Sequence, residues 1–198
     1  NYDQLEKTTR MFVRNLNKVI DHGFYPLEET RLSNFRNRPI GIGVQGLADV
    51  FMKLKVPFDG PEAAQLNKDI FETMYYSALH ESILLAKKKG PYPAYHKTKW
   101  NLDDSPLAKG YIQPDLWDYK VSDDRHNWSE LRNMLKEYGA RNSLLLAPMP
   151  TASTAQILGN IECFEPITSN MYTRRVLSGE FPVINKHLVK DLESLDMW

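Results

Sequence analysis

The run Asn142-Ser-Leu-Leu-Leu-Ala-Pro-Met-Pro-Thr-Ala-Ser-Thr-Ala-Gln-Ile-Leu-Gly159 decides how the chain is read. Asn142 to Ala147 is short and apolar, and its length and flanks predict a buried strand. Pro148 and Pro150 break that strand. Thr151 to Gly159 then reads as a hydroxyl-rich helix start with a glycine stop. A helix start leaves backbone N–H groups without intrahelical acceptors, and the macrodipole places roughly half a positive charge there. An anion at that end gains several hydrogen bonds at once. Thr151, Ser153 and Thr154 add hydroxyl donors, and Ala152 and Ala155 are small enough to let a phosphate approach the backbone. Pro150 limits the freedom of the loop, so less entropy is lost on binding. The pattern fits phosphate binding at Thr151, Ala152, Ser153 and Thr154. It also fits a plain N-cap at Thr151 or Ser153.

Outward from this run, Leu5 to Asp21 carries Leu5, Phe12, Leu16, Val19 and Ile20 at near-helical spacing, with Gly23 as its stop. Its basic residues, Lys7, Arg10, Arg14 and Lys18, read as a solvated face. Pro39 to Val44 reads as a short buried strand, followed by a helix from Gly46–Leu47 through Leu54. Gly41-x-Gly43-x-x-Gly46 matches a dinucleotide fingerprint by letter, but the glycines fall inside the strand rather than in the turn after it. Tight strand–helix packing accounts for them. A long helix spans about 62 to 89, opened by Gly60-Pro61-Glu62 and closed by three lysines and Gly90-Pro91. Tyr75-Tyr76 within it reads as core and groove packing rather than a redox pair. Residues 91 to 126 hold four prolines and the tryptophans Trp100 and Trp117, with Trp128 just beyond, and predict a long loop packed over a surface. Further helices are predicted at 128–138 and about 186–195, the latter capped by Asn185, with a strand at 172–176.

The chain has 198 residues, 25 basic and 25 acidic, and so no net charge. That excludes a polyanion binder held by bulk positive charge but leaves a local anion site open. One cysteine, Cys163, excludes an internal disulfide and a cysteine-based zinc cluster. Glu162 and Glu165 flank it, which argues for a buried structural thiol over a nucleophile. The five histidines are scattered, with no metal-ligand spacing, and read as surface or satisfied groups. Arg174-Arg175 reads as a solvated or carboxylate-paired couple. No apolar run is long enough to cross a membrane. The opening Asn1-Tyr2-Asp3-Gln4 lacks secretory-signal character and an initiating methionine, and the chain reads as a fragment or a processed chain.

Three runs are specific enough to resemble a known family. They are Arg38-Pro-Ile-Gly-Ile-Gly-Val-Gln-Gly-Leu-Ala-Asp49, the run Asn142 to Asn160, and Thr168-Ser-Asn-Met-Tyr-Thr-Arg-Arg-Val-Leu-Ser-Gly-Glu-Phe181. In order and context they resemble the class I ribonucleotide reductase large subunit of eukaryotic and viral type, and the similarity is weakest at 91–127. The resemblance implies an α/β fold: residues 1–198 as a helix-rich part of one ten-stranded α/β barrel, with no separate second domain. It implies radical reduction of ribonucleoside diphosphates to deoxyribonucleoside diphosphates. It implies that Thr151, Ala152, Ser153 and Thr154 hold the substrate diphosphate.

The resemblance carries over no catalytic residue and no metal ligand. The family's radical cysteine, its redox thiol pair, its relay tyrosines and its effector sites have no match in this sequence, so neither Cys163 nor Tyr75-Tyr76 inherits those roles. No cofactor is expected on this segment; the family uses a metal-radical cofactor in a partner small subunit, and ATP or deoxynucleotide effectors. Expected partners are a ribonucleoside diphosphate, the remaining large-subunit residues, the small subunit and, in the full protein, further copies of itself. Nucleic acid and membrane are not expected, and the implied setting is cytoplasmic. On its own the chain is expected to be inactive. The alternative is a noncatalytic fragment or split-gene module that acts only with a complementing chain.

Overall fold

A computed structural model describes residues 1–95, 111–117 and 120–198. Part of the expected aromatic loop, residues 96–110 and 118–119, therefore lies outside the described residues, Trp100 and His96 included. The chain divides into two compact units, residues 1–42 with 68–147 and residues 43–67 with 148–198.

The first unit opens with α1 (Tyr2–His22), where Asn1 Oδ1 caps the helix by accepting from the Gln4 amide at 3.0 Å. Gly23 stops the helix in extended backbone. Its amide donates to the Val19 carbonyl at 2.7 Å, and a Cβ there would also sit 2.7 Å from that oxygen, so the stop needs a glycine. The buried stripe of α1 is Thr9, Val13, Asn17 and Ile20. Phe12 and Val19, expected inside, are exposed. The helix is rotated so that Asn17 enters a buried polar cluster. The basic face also differs from expectation. Arg10 donates to Glu6 at 2.7 Å and Arg14 reaches Glu81 at 3.0 Å, so carboxylates hold both side chains in place.

Helix α2 (Glu28–Asn37) has no buried residue, and so offered no periodic signal to read. It ends at Arg38 with φ 46°. The long helix α4 (Pro61–Lys89) matches its predicted span. Its buried apolar positions in this unit are Met74, Ala78, Leu79, Ile83 and Ala86, which pack in a core with Trp128, Leu131 and Leu135 of α5 (Trp128–Tyr138). Tyr75 stacks on Trp128 and Tyr76 on His126, with centroids 6.1 and 4.4 Å apart, which is the packing role expected of that pair. Trp128 Nε1 donates to Glu72 at 3.0 Å, so the buried indole is satisfied. A short 3-10 turn covers Gln113–Trp117.

The two strands predicted at 39–44 and 142–147 lie side by side but do not build full strands. Ile42 and Leu146 form a single parallel bridge, with Ile40 and Ile42 amides donating to Leu144 and Leu145 carbonyls at 3.1 and 2.9 Å. Pro39 has no donor and Pro148 follows at once, so the ladder has little length to grow. Gly41 sits where a Cβ would lie 3.0 Å from that of Ala147, which fits the packing reading of the glycine run.

In the second unit, Gly46 caps α3 (Leu47–Leu54) with φ 78°. The short helix α6 (Ala152–Leu158) ends at left-handed Gly159. Strands β1 (Met171–Val176) and β2 (Gly179–Ile184) form an antiparallel hairpin in which Met171 pairs with Ile184 and Val176 with Gly179. Sequence predicts only β1; Pro182 inside β2 argues against a strand and is tolerated because, among the described residues, both strands are edges. Helix α7 (Lys186–Ser194) starts under Asn185, whose side chain accepts from the His187 and Leu188 amides as expected. The described architecture is thus helix-rich, with one antiparallel ribbon and one parallel bridge, the pairing from which α/β folds are built.

Candidate functional site

The start of α6 presents its backbone outward. Ala152, Ser153 and Thr154 are exposed, Thr151 is partly covered, and Ala155 beneath them is buried. Among the described residues the amides of 152, 153 and 154 find no acceptor; the helix ladder begins with the Ala155 amide donating to the Thr151 carbonyl at 2.7 Å. The four residues proposed from sequence are therefore together and accessible. The N-cap reading fails in one respect. Thr151 occupies the cap position, but its hydroxyl makes no bond to the helix and instead accepts from the Cys163 amide at 2.7 Å.

A brace behind the loop fixes its shape. Thr154 Oγ1 donates to Gln45 Oε1 at 2.9 Å and also lies 3.3 Å from the Thr151 carbonyl. Cys163 is 5 % exposed with φ 43°, and its carbonyl accepts from the Leu47 amide at 3.5 Å. The thiol is buried, as expected of a structural cysteine. The Gly46 amide donates to the Ile161 carbonyl at 2.8 Å, and a Cβ on Gly46 would meet Asn160 at 3.2 Å. Strain and contact both select glycine there.

The Asp49 carboxylate ties these strands of chain together. It accepts from the Ile161 amide at 2.6 Å and from His187 Nε2 at 2.7 Å, with Lys186 Nζ 3.5 Å away. Burial works against its charge. The His187 bond, the Ile161 amide and the nearby cations outweigh that cost and hold its carboxyl below the ordinary value. Lys186 also donates to the Gly159 carbonyl at the end of α6. Asp49, His187, Gln45 and the Cys163 backbone were not read from sequence as parts of this site. The available signals were an acid in the first turn of α3 and the Asn185 cap, which sets His187 at the start of α7.

A cavity of about 480 Å³ opens beside the other end of α6, lined by Gln156, Gly159, Asn160, Tyr172, Phe181 and His187 among others. None of Thr151 to Thr154 lines it, so the exposed amides and the cavity are separate features. Arg174 pairs with Glu162 at 2.9 Å and Arg175 with Glu180 at 2.6 Å, in line with the carboxylate-paired reading. His80, His126 and His187 each have a polar or aromatic partner. Among the described residues no group of three or more His, Cys, Asp or Glu is placed to hold a metal, and no helix is long and apolar enough to cross a membrane.

The sequence profile described as the ribonucleotide reductase barrel domain matches residues 1–198, the whole chain. The chain belongs to the ribonucleotide reductase barrel-domain family. Its similarity to members of that family is high. It is 57% identical over 197 residues to a ribonucleoside-diphosphate reductase large subunit of Arabidopsis thaliana, covering 100% of this chain and 23% of that protein. It is 53% identical over 198 residues to that of Plasmodium falciparum, covering 100% and 24%. It is 55% identical over 195 residues to that of Monkeypox virus, covering 98% and 24%. The chain thus spans about a quarter of the length of the curated relatives it matches. Within this barrel-domain family member, the start of α6 is a place where unpaired backbone donors and hydroxyls meet solvent.

Proposed function

We propose that this chain is a portion of a ribonucleoside-diphosphate reductase large subunit, and that it holds the substrate diphosphate at Thr151, Ala152, Ser153 and Thr154. The observation that carries the reading is the set of three exposed, unpaired amides at the start of α6, beside free and braced hydroxyls. A diphosphate seated there accepts from several amides at once, with the helix dipole favouring its charge. The Cys163–Thr151 and Thr154–Gln45 bonds hold the loop in one shape before substrate arrives, so little ordering entropy opposes binding. Residues 1–198 are read as one partial catalytic α/β barrel domain of the ten-stranded type.

The role of this segment is positional. Fixing the charged tail of the nucleotide points its ribose toward the reacting groups, which converts part of the entropic barrier into binding. The reduction draws two electrons from a thiol pair while a third thiol carries the radical. The single cysteine here, buried and bound through its backbone, cannot supply them. The chain by itself is therefore inactive and acts with the remaining large-subunit residues, with a small subunit that supplies the radical from its own metal cofactor, and with effector sites elsewhere.

In the complete large subunit, replacing Ser153 and Thr154 together by alanine weakens substrate binding by about 1–3 kcal/mol, the scale of lost bonds to a charged group. Equilibrium binding of a ribonucleoside diphosphate is the readout, with circular dichroism as the control for folding. Unchanged affinity in a folded double variant refutes the assignment.

A further inference from the structure

The first unit contains a cavity with a strongly cationic lining. A cavity of about 220 Å³ lies among α1, Arg38, the end of α4 and Arg141. Five of its seven lining residues are cationic, namely Arg14, Lys18, Arg38, Lys89 and Arg141, and none is acidic. Two carboxylates stand near, and both are engaged. Glu81 holds Arg14 at 3.0 Å, and Asp21 holds Arg38 at 2.8 Å with Lys89 at 3.7 Å. Arg38 spends its other donors on Asn17, at 3.1 to 3.3 Å.

Arg141 is left short of acceptors. Its Nη1 donates to the carbonyls of Lys89, Gly90 and Pro91 at 3.4, 3.1 and 3.4 Å, which pins the guanidinium against the end of α4. Its Nε is buried and has no hydrogen-bond partner among the described residues. A buried donor on a charged group without an acceptor is rare in folded proteins. Lys18 likewise has no carboxylate within ion-pair distance among the described residues, and it lines the same cavity. The carbonyls of Lys89, at the end of α4, and of Gly90 and Pro91 just after it are taken up by Arg141 Nη1. The lining of the cavity thus carries an excess of positive charge.

We infer that this cavity is an oxyanion site in which the Arg141 guanidinium, Lys18 and Lys89 hold a phosphate-sized group. A guanidinium beside two flexible ammonium groups supplies positive charge and donors that suit a tetrahedral dianion. The volume admits one phosphate group with its immediate water and is below the usual size of a pocket for a whole nucleotide. The site does not depend on the diphosphate reading of α6, since all its residues belong to the first unit.

The test uses the complete large subunit with Ser153 and Thr154 changed to alanine, which removes the loop proposed above from the measurement. Inorganic phosphate is titrated and followed by phosphorus NMR line broadening and calorimetry. A saturable phosphate site that responds to substitution of Lys18 is expected. Lys18→Glu, an exposed position that leaves the core untouched, weakens it at least about fivefold, and Lys18→Arg restores it. Pyrophosphate serves as a second probe and binds no tighter than phosphate. Absence of the site in the loop variant, a Lys18→Glu effect below that size, or a failure of Lys18→Arg to restore affinity overturns the inference. A separate failure of substrate binding to respond to Ser153 and Thr154 bears only on the diphosphate reading.

Discussion

His187 Nε2 donates to the Asp49 carboxylate at 2.7 Å, joining residues 138 positions apart in sequence. The bond anchors α7 to the first turn of α3. Because Asp49 also accepts from Ile161, it fixes the chain that follows α6 as well. A buried carboxylate with two donors and a cation nearby is satisfied, and removing it strands its partners.

Asp49→Ala is therefore expected to cost roughly 3–5 kcal/mol of stability, because an amide and an imidazole lose their shared acceptor. Denaturant unfolding of the complete protein measures this. Asp49→Asn retains one acceptor and costs less. The carboxyl is held below its ordinary value of 3.8, so the stabilisation is fully present above about pH 4 and is lost as pH falls through the lowered folded value. Acid unfolding of the Asp49→Asn protein loses that part of the transition.

A second pH effect has its source in the first unit. Burial first, and then the Arg10 charge, hold His80 below its ordinary 6.5; burial likewise lowers His126 despite Glu72 and Glu6 nearby. His80 Nδ1 accepts from Arg10, a bond that only the unprotonated nitrogen can make. In the unfolded chain both imidazoles take a proton as pH drops through 6.5, while the folded chain resists. Stability is thus expected to decline from about pH 6.5 downward, well before the carboxylates titrate. Chemical denaturation at pH 7.5 and 5.5 shows the decline, and His126→Gln reduces it.

The Asn17–Asn142–Arg38 cluster gives a third prediction. Asn142 Oδ1 accepts from Asn17 at 2.9 Å and from Ser82 at 3.0 Å, and its Nδ2 donates to the Arg38 carbonyl at 2.8 Å. Asn142→Leu is expected to cost about 3 kcal/mol or more, since several buried polar groups lose partners at once. Thermal unfolding checks it, and Ser82→Ala costs distinctly less.

Gly46→Ala tests the brace behind α6. The left-handed backbone and the 3.2 Å approach to Asn160 both oppose a methyl group. A loss of roughly 1–3 kcal/mol is expected, together with weaker substrate binding in the complete enzyme. Stability and affinity measured on the same preparation separate the two effects.

The helices were legible where one face is apolar. α4 and α5 fall within one residue of their predicted spans, because their buried residues recur at helical spacing and caps mark their ends. Helix α2 was not legible, since it buries nothing and leaves no periodic trace. The two predicted strands became a single bridge because a strand's extent depends on neighbours that local sequence does not name. At α6 the residues facing outward were readable from hydroxyls and prolines. The brace was not, because Gln45, Asp49, Cys163 and His187 meet only through tertiary contacts.

Arg38 combines two demands that pull against each other. Its backbone sits at φ 46°, which glycine tolerates best, yet its side chain is buried and bound to Asp21 and Asn17. Glycine meets the first demand and forfeits the second, whereas lysine keeps a charge but has no fork to share between two acceptors. A saturation library at this codon should return almost nothing but the starting residue, although the position faces neither the solvent nor any proposed ligand at α6.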